Sequence, residues 1–290
     1  MTFYPRSLHK NNGAMKENNK QRDEVQVMLD TVRKAGNMFL AEFKQKDIPQ
    51  NKTDFSAQLD EIEARCLAIL QQGLSTAFPD TPWRGNEFDY EEQRQPLDLP
   101  EYWLCDTMDG AIQYMQHLPG WTINLVQVRH GQLHFGVIYD PLLQEMFFAE
   151  AGKGAYLNDR LIRPAAKTDL KAMLAVFEYA FPYVEVPGLN QQIGASIGEL
   201  LDHFGVVRNY GPHGLQLAYV GAGRIDLFYQ RDLDTYNWLP GILIAREAGA
   251  EILTTDGRPW TWGAESLIVA PAGVAGKFLQ AVTTTQKAQV

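Results

Sequence analysis

Two carboxylates three residues apart, Asp106 and Asp109, follow an apolar run at 102–105 and stand directly before Gly110 and Ala111. The run reads as a short buried strand, the acidic pair as a tight turn, and 112–118 as an amphipathic helical segment. Two carboxylates on one side of such a turn can share a hard cation such as Mg²⁺, which takes oxygen ligands. The N–H groups of Gly110 and Ala111 would then open the helix, where unpaired donors and the dipole favour an anion. Cation and phosphate chemistry therefore fall within one segment. The fragment alone is also what a solvated turn with an Asp helix cap looks like.

The chain around it sharpens the reading. Asp-Thr-Met-Asp-Gly-Ala at 106–111 resembles the Asp-Pro-Ile-Asp-Gly-Thr signature of the inositol monophosphatase family. The similarity continues through the aromatic-rich 114–121 and Phe-Gly-Val-Ile-Tyr-Asp-Pro at 135–141 to Gly-Lys-Gly-Ala-Tyr-Leu-Asn at 152–158. A second block, Leu-Ala-Tyr-Val-Gly-Ala-Gly-Arg-Ile-Asp at 217–226, resembles the family's other long signature, so the likeness covers 23–280. It implies a Mg²⁺-dependent, Li⁺-sensitive phosphatase of inositol, sugar or nucleotide phosphates, a layered α/β/α/β/α sandwich, a small phosphorylated substrate and a homodimer. It also implies site roles. Asp106, the Thr107 carbonyl and Asp109 would hold metal, Asp60 would orient the attacking water, and the Gly110 and Ala111 amides would face phosphate.

Several positions depart from the family pattern. The loop glutamate that binds metal is matched by Asn86, with Glu87 one residue on, and the C-terminal aspartate ligand by Asn237. Ala111 replaces the signature threonine whose hydroxyl pairs with the aspartate at position 60. On the substrate side Gly211-Pro212-His213-Gly214 stands for Gly-Ser-x-Ala, and Gln230 for a glutamate. An amide oxygen still coordinates Mg²⁺ but brings no charge, and ligand charge controls affinity. Two readings follow: a phosphatase with a weakened metal site, or a weak or inactive member that binds a phosphorylated ligand or a protein.

The elements that must position these residues are legible in outline. Val25, Met28, Leu29, Val32, Phe39 and Phe43 recur at helical spacing behind a capping Asp23, and Leu59, Ile62, Cys66, Ile69 and Leu70 mark a second helix. Residues 78–101 read as an exposed loop, 121–158 as an antiparallel meander. After 160 short strands alternate with helices, which makes the second half α/β. We expect a disordered arm at 1–22, an α+β domain at 23–160 and an α/β domain at 161–290. Asp232 and Asp234 read as a solvated turn and helix cap.

The 290 residues carry a net charge of −9, and no Lys/Arg cluster appears, which argues against a nucleic-acid partner. No apolar run approaches the roughly 18 residues of a membrane span and no leader opens the chain, so a cytoplasmic protein is expected. Cys66 and Cys105 lie in apolar surroundings and read as buried free thiols.

Overall fold

The computed structural model describes residues 9–84, 89–179 and 186–288. Helices α1 (His9–Glu42) and α2 (Lys52–Leu74) precede β1 (Glu101–Asp109) and a single helical turn, α3 (Ala111–Met115). Strands β2 (Thr122–Arg129), β3 (Gln132–Asp140), β4 (Glu145–Glu150), β5 (Ala155–Leu157) and β6 (Arg160–Leu161) complete an antiparallel sheet in sequence order. The second half runs β7 (Leu174–Tyr179), α4 (Leu189–His203), β8 (Val206–Arg208), α5 (His213–Gly221), β9 (Leu227–Arg231), α6 (Thr235–Ala248), β10 (Ala250–Leu253), β11 (Ser266–Pro271) and α7 (Val274–Ala288). Its sheet has the order β10-β11-β9-β7-β8, with β7 parallel to both neighbours and β11 antiparallel to its own.

The layering follows from strand alternation, because successive side chains leave a strand on opposite faces. On β1, Trp103 packs with α1 and α2, whereas Tyr102 and Leu104 pack with α5 and α6. On β3, Phe135, Val137 and Tyr139 take the first direction and Ile138 the second. The opposite face of α5 and α6 meets Val176, Phe228 and Leu267 of the second sheet, and α4 and α7 cover that sheet's outer side through Leu200 and Phe278. Every residue of α5 after His213 is buried, as a helix between two sheets requires. The order of layers is therefore helix pair, sheet, helix pair, sheet, helix pair, an α/β/α/β/α sandwich.

Three local expectations change. Helix α1 begins at His9, so 9–22 is not an arm and Asp23 is not a cap. Its straight-chain Lys, Glu, Gln and Met residues favour helix without an apolar stripe to announce it. Residues 1–8 lie outside the described residues. Second, β1 does not stop before the acidic pair but carries it, Asp106 opposite Asn124 and Asp109 opposite Thr122, with the register shifting between them. Third, the loop before β1 is not wholly exposed. Its Gln93 is buried and accepts a bond from the Tyr236 amide at 3.2 Å.

Candidate active site

The one-residue register shift between Asp106 and Asp109 offsets the alternation that would separate residues three apart on a strand, and Asn124 lies against both. Asp106 lines a cavity of about 380 Å³ together with Asp60, Glu63, Arg84, Asn124 and Asn237. Its Oδ1 accepts from the Met108 amide at 2.9 Å. Asp109 is buried, and its Oδ2 accepts from Asn124 Nδ2 at 2.8 Å and from the Gly214 amide, at the start of α5, at 2.9 Å. Any side chain at 214 would meet Asn124 Nδ2 at 2.6 Å and Asp109 Oδ2 at 3.1 Å, so only glycine lets α5 come this close. Burial pushes the Asp109 carboxyl up, against the pull of His213 and the two N–H donors. Asp109, expected to share a cation with Asp106, has its Oδ2 held by Asn124 and by the start of α5.

Asp60 and Glu63 project from α2, one turn apart, and so share a face. Asp60 is exposed at the mouth. Glu63 is half-buried and accepts from Thr107 Oγ1 at 3.1 Å. Burial raises its carboxyl above the usual range and neighbouring Asp60 adds to that, while the Thr107 bond opposes it. The Thr107 carbonyl, expected as a metal ligand, has the Cys66 thiol at 3.9 Å. Arg84 is the one basic side chain lining the cavity among the described residues, anchored where its amide donates to the Trp103 carbonyl at 2.8 Å.

Asn237 enters from the first turn of α6. Its Nδ2 donates to Asp234 Oδ1 at 2.8 Å, which leaves its Oδ1 buried and without a hydrogen-bond partner. A buried carbonyl oxygen is seldom left so. Asn237 lines the cavity that Asp106, Asp60 and Glu63 also line. These donors are all oxygen, the set a hard cation such as Mg²⁺ takes. Among the described residues no group of three His, Cys, Asp or Glu side chains is already drawn together around a metal position. The fit is therefore to a cation held partly by neutral oxygen. Asn86 and Glu87 lie outside the described residues.

The substrate-side residues form a separate buried network. Glu178 accepts from the Gly211 amide at 2.8 Å, Gln216 Nε2 at 2.7 Å and Asn209 Nδ2 at 3.0 Å, which fixes the turn into α5. His213 Nε2 lies 3.6 Å from Asp234 and 3.9 Å from Glu178. Burial disfavours its imidazolium, but Asp234, Asp109 and Glu178 outweigh burial and hold its pKa above the ordinary value. Asp234 is pushed up to about 6 by burial, with His213 and Gln230 opposing, so the cluster retains a proton that isolated groups would release. Asp234 is thus no solvated cap. Gln230, expected to contact substrate, is fully buried and uses both ends of its amide, donating to Asp234 at 3.0 Å and accepting from Trp238 Nε1 at 2.8 Å. Its position between β9 and α6 makes it structural.

Gly110 adopts φ +95°, and a Cβ there would meet the Gly120 carbonyl at 2.6 Å, so the turn beneath the Gly110 and Ala111 amides requires glycine. A larger cavity of about 1120 Å³ lies between α1 and the β4–β5 hairpin, away from all of these residues. Of its two carboxylates, Glu150 and Asp159, the first is paired with Lys153 at 3.1 Å.

The two sheets, the central helix pair and a carboxylate-lined cavity at the end of β1 define a sugar- and inositol-phosphatase type of architecture. The chain matches the inositol monophosphatase family over residues 20–288 and belongs to it. It is 29% identical over 237 residues to the inositol-1-monophosphatase of Rhizobium meliloti, covering 80% of this chain and 86% of that one. It is 28% identical over 241 residues to the Nus factor SuhB of Xylella fastidiosa, covering 82% and 84%. The solved Thermotoga maritima IMPase superposes with a TM-score of 0.73 at 23% identity, covering 92% of this chain and 98% of that one.

Glu63, Asn124 and Asp234 escaped the sequence reading. Glu63 had a signal, its spacing of three from Asp60 on a helix. Asn124 is the polar residue in an otherwise apolar stretch of β2, and only the strand pairing shows why.

The two thiols also separate. Burial pushes Cys66 far above its usual pKa, whereas Cys105 is half-buried and lines the cavity. A thiol reagent is expected to modify Cys105 in the folded chain and Cys66 only after denaturation, as mass mapping would show.

Proposed function

We propose that this chain is a slow, Mg²⁺-dependent phosphomonoesterase of a small inositol, sugar or nucleotide phosphate. The observation that carries the reading is Asn237, which lines the same cavity as Asp106, Asp60 and Glu63 and has a buried, partnerless Oδ1. Asp106 and Asn237 hold the cation, and Asp60 at the mouth orients the attacking water. The Gly110 and Ala111 amides face the phosphate, and the Gly211–His213 turn flanks the alcohol portion. Bound Mg²⁺ would supply Lewis-acid polarisation of the phosphoryl oxygens. The water oxygen bonds to phosphorus, the ester P–O bond breaks, and the alcohol leaves with a proton. The reaction is slow because Asn237 brings no charge and Asp109 is engaged elsewhere.

That engagement favours one second reading, a member that binds phosphorylated ligands with little turnover. Phosphate release from inositol, sugar and nucleotide monophosphates, titrated with Mg²⁺, separates the two. We expect release that a chelator abolishes and that saturates only at millimolar Mg²⁺. Calorimetric binding of the same compounds without release would establish the second reading.

A further inference from the structure

We propose that Glu63 is a cation-binding carboxylate of this site, presented from helix α2 and held in place by Thr107. It supplies the charge that Asn86 and Asn237 do not. The inference rests on the Mg²⁺ reading above for the nature of the cation and goes beyond it in the ligand.

The helix is a rigid support. Asn51 caps α2 by accepting from the Asp54 amide at 3.0 Å, and Ile62, Cys66, Leu70 and Leu74 are buried against α1 and the first sheet. Glu63 lies within the same half of the helix, half-buried, and lines the cavity with Oε1 fixed by Thr107 Oγ1 at 3.1 Å. Such a support orients a ligand carboxylate and is part of a metal site in its own right. Thr107 lies between Asp106 and the irregularity in β1, so the strand that delivers Asp106 also aligns Glu63.

The charge pattern points the same way. Among the described residues neither Glu63 nor Asp60 has a Lys, Arg or His within 4.0 Å, although the two carboxylates are one helical turn apart and Glu63 is half-buried. A half-buried carboxylate beside a like charge is costly unless a cation answers it. Asn237 lines the same cavity, and its Oδ1 is buried without a hydrogen-bond partner. Glu63, which among the described residues has no cationic side chain paired with it, and Asn237, whose Oδ1 has no hydrogen-bond partner, together with Asp106 make an all-oxygen set drawn from three elements.

Mn²⁺ binding to the full-length chain, followed by electron paramagnetic resonance without substrate, tests this apart from catalysis. Glu63→Gln keeps the shape and the acceptor for Thr107 but removes the charge, and is expected to weaken Mn²⁺ about tenfold or more. Thr107→Val should weaken it less, and Glu63→Asp should recover part of the affinity. Thermal unfolding of each variant checks that it folds. Equal affinities for wild type and Glu63→Gln, or loss only on Glu87→Gln, would overturn the proposal. So would a wild-type chain that binds no Mn²⁺. A chain without phosphatase activity whose Mn²⁺ affinity still depends on Glu63 would sustain it while defeating the enzymatic reading.

Discussion

Asn237→Asp alone is expected to leave cation affinity nearly unchanged, whereas Asn237→Asp combined with Asp234→Asn is expected to tighten it by about 10- to 100-fold. The reason is the bond between the two side chains. Asn237 Nδ2 donates to Asp234 Oδ1 at 2.8 Å, so an aspartate at 237 would set two carboxylate oxygens against each other in a buried place. Asp234 already holds its proton up to about pH 6 because of burial. A second carboxyl there pushes one of the pair higher still, and the new group arrives protonated or the fold loosens. Exchanging both residues reverses the bond: an amide at 234 donates to a carboxylate at 237, whose other oxygen faces the cavity with its charge. His213 keeps Glu178 and Asp109 as counter-charges. Calorimetry with Mg²⁺ on the three variants measures this. A single substitution that tightens binding as much as the pair would show that Asp234 does not govern the position.

The contrast between fold and site shows what a sequence of this kind carries. The layers were legible because alternation on β1 and β3 assigns each side chain to one of two cores, and because the second half switches to strand-helix units. The start of α1 was not legible, since no apolar stripe marks helix before Val25. Within the site, motif and spacing pointed to Asp106, Asp60 and Asn237, which line one cavity. Asp109 and Gln230 do not line it, and for the same physical reason. Each is a polar group whose hydrogen-bond capacity is used by an element remote in sequence, α5 for Asp109 and Trp238 of α6 for Gln230. Motifs record residue type, whereas availability depends on which partners the fold brings. Asp234 shows the converse: a residue that looked like a solvated cap is buried among His213, Gln230 and Asn237.

Trp121→Ala is expected to cost about 3–5 kcal/mol, enough to lower the melting temperature by roughly 6–20 °C in a chain of this size. The indole is fully buried, edge-on to Tyr114 with centroids 4.9 Å apart and close to Phe43 at 5.2 Å and Phe39 at 6.2 Å. It joins α1 to the turn after β1, and its consequence for function is local. Gly110 packs on the backbone of Gly120 and Trp121, with a Cβ position only 3.0 Å from Trp121 Cα, so the buried indole anchors the backbone that forms the floor of the Gly110 turn. The proposed cation donors come from α2, β1 and α6 and do not rest on that floor. Below its melting temperature the variant should therefore keep its Mn²⁺ affinity while binding inorganic phosphate more weakly, and Trp121→Phe should lose less of both stability and phosphate affinity. Calorimetric titrations with each ligand at one temperature separate these effects. Parallel loss of cation and phosphate binding would mean that the two halves of the site are not independently supported.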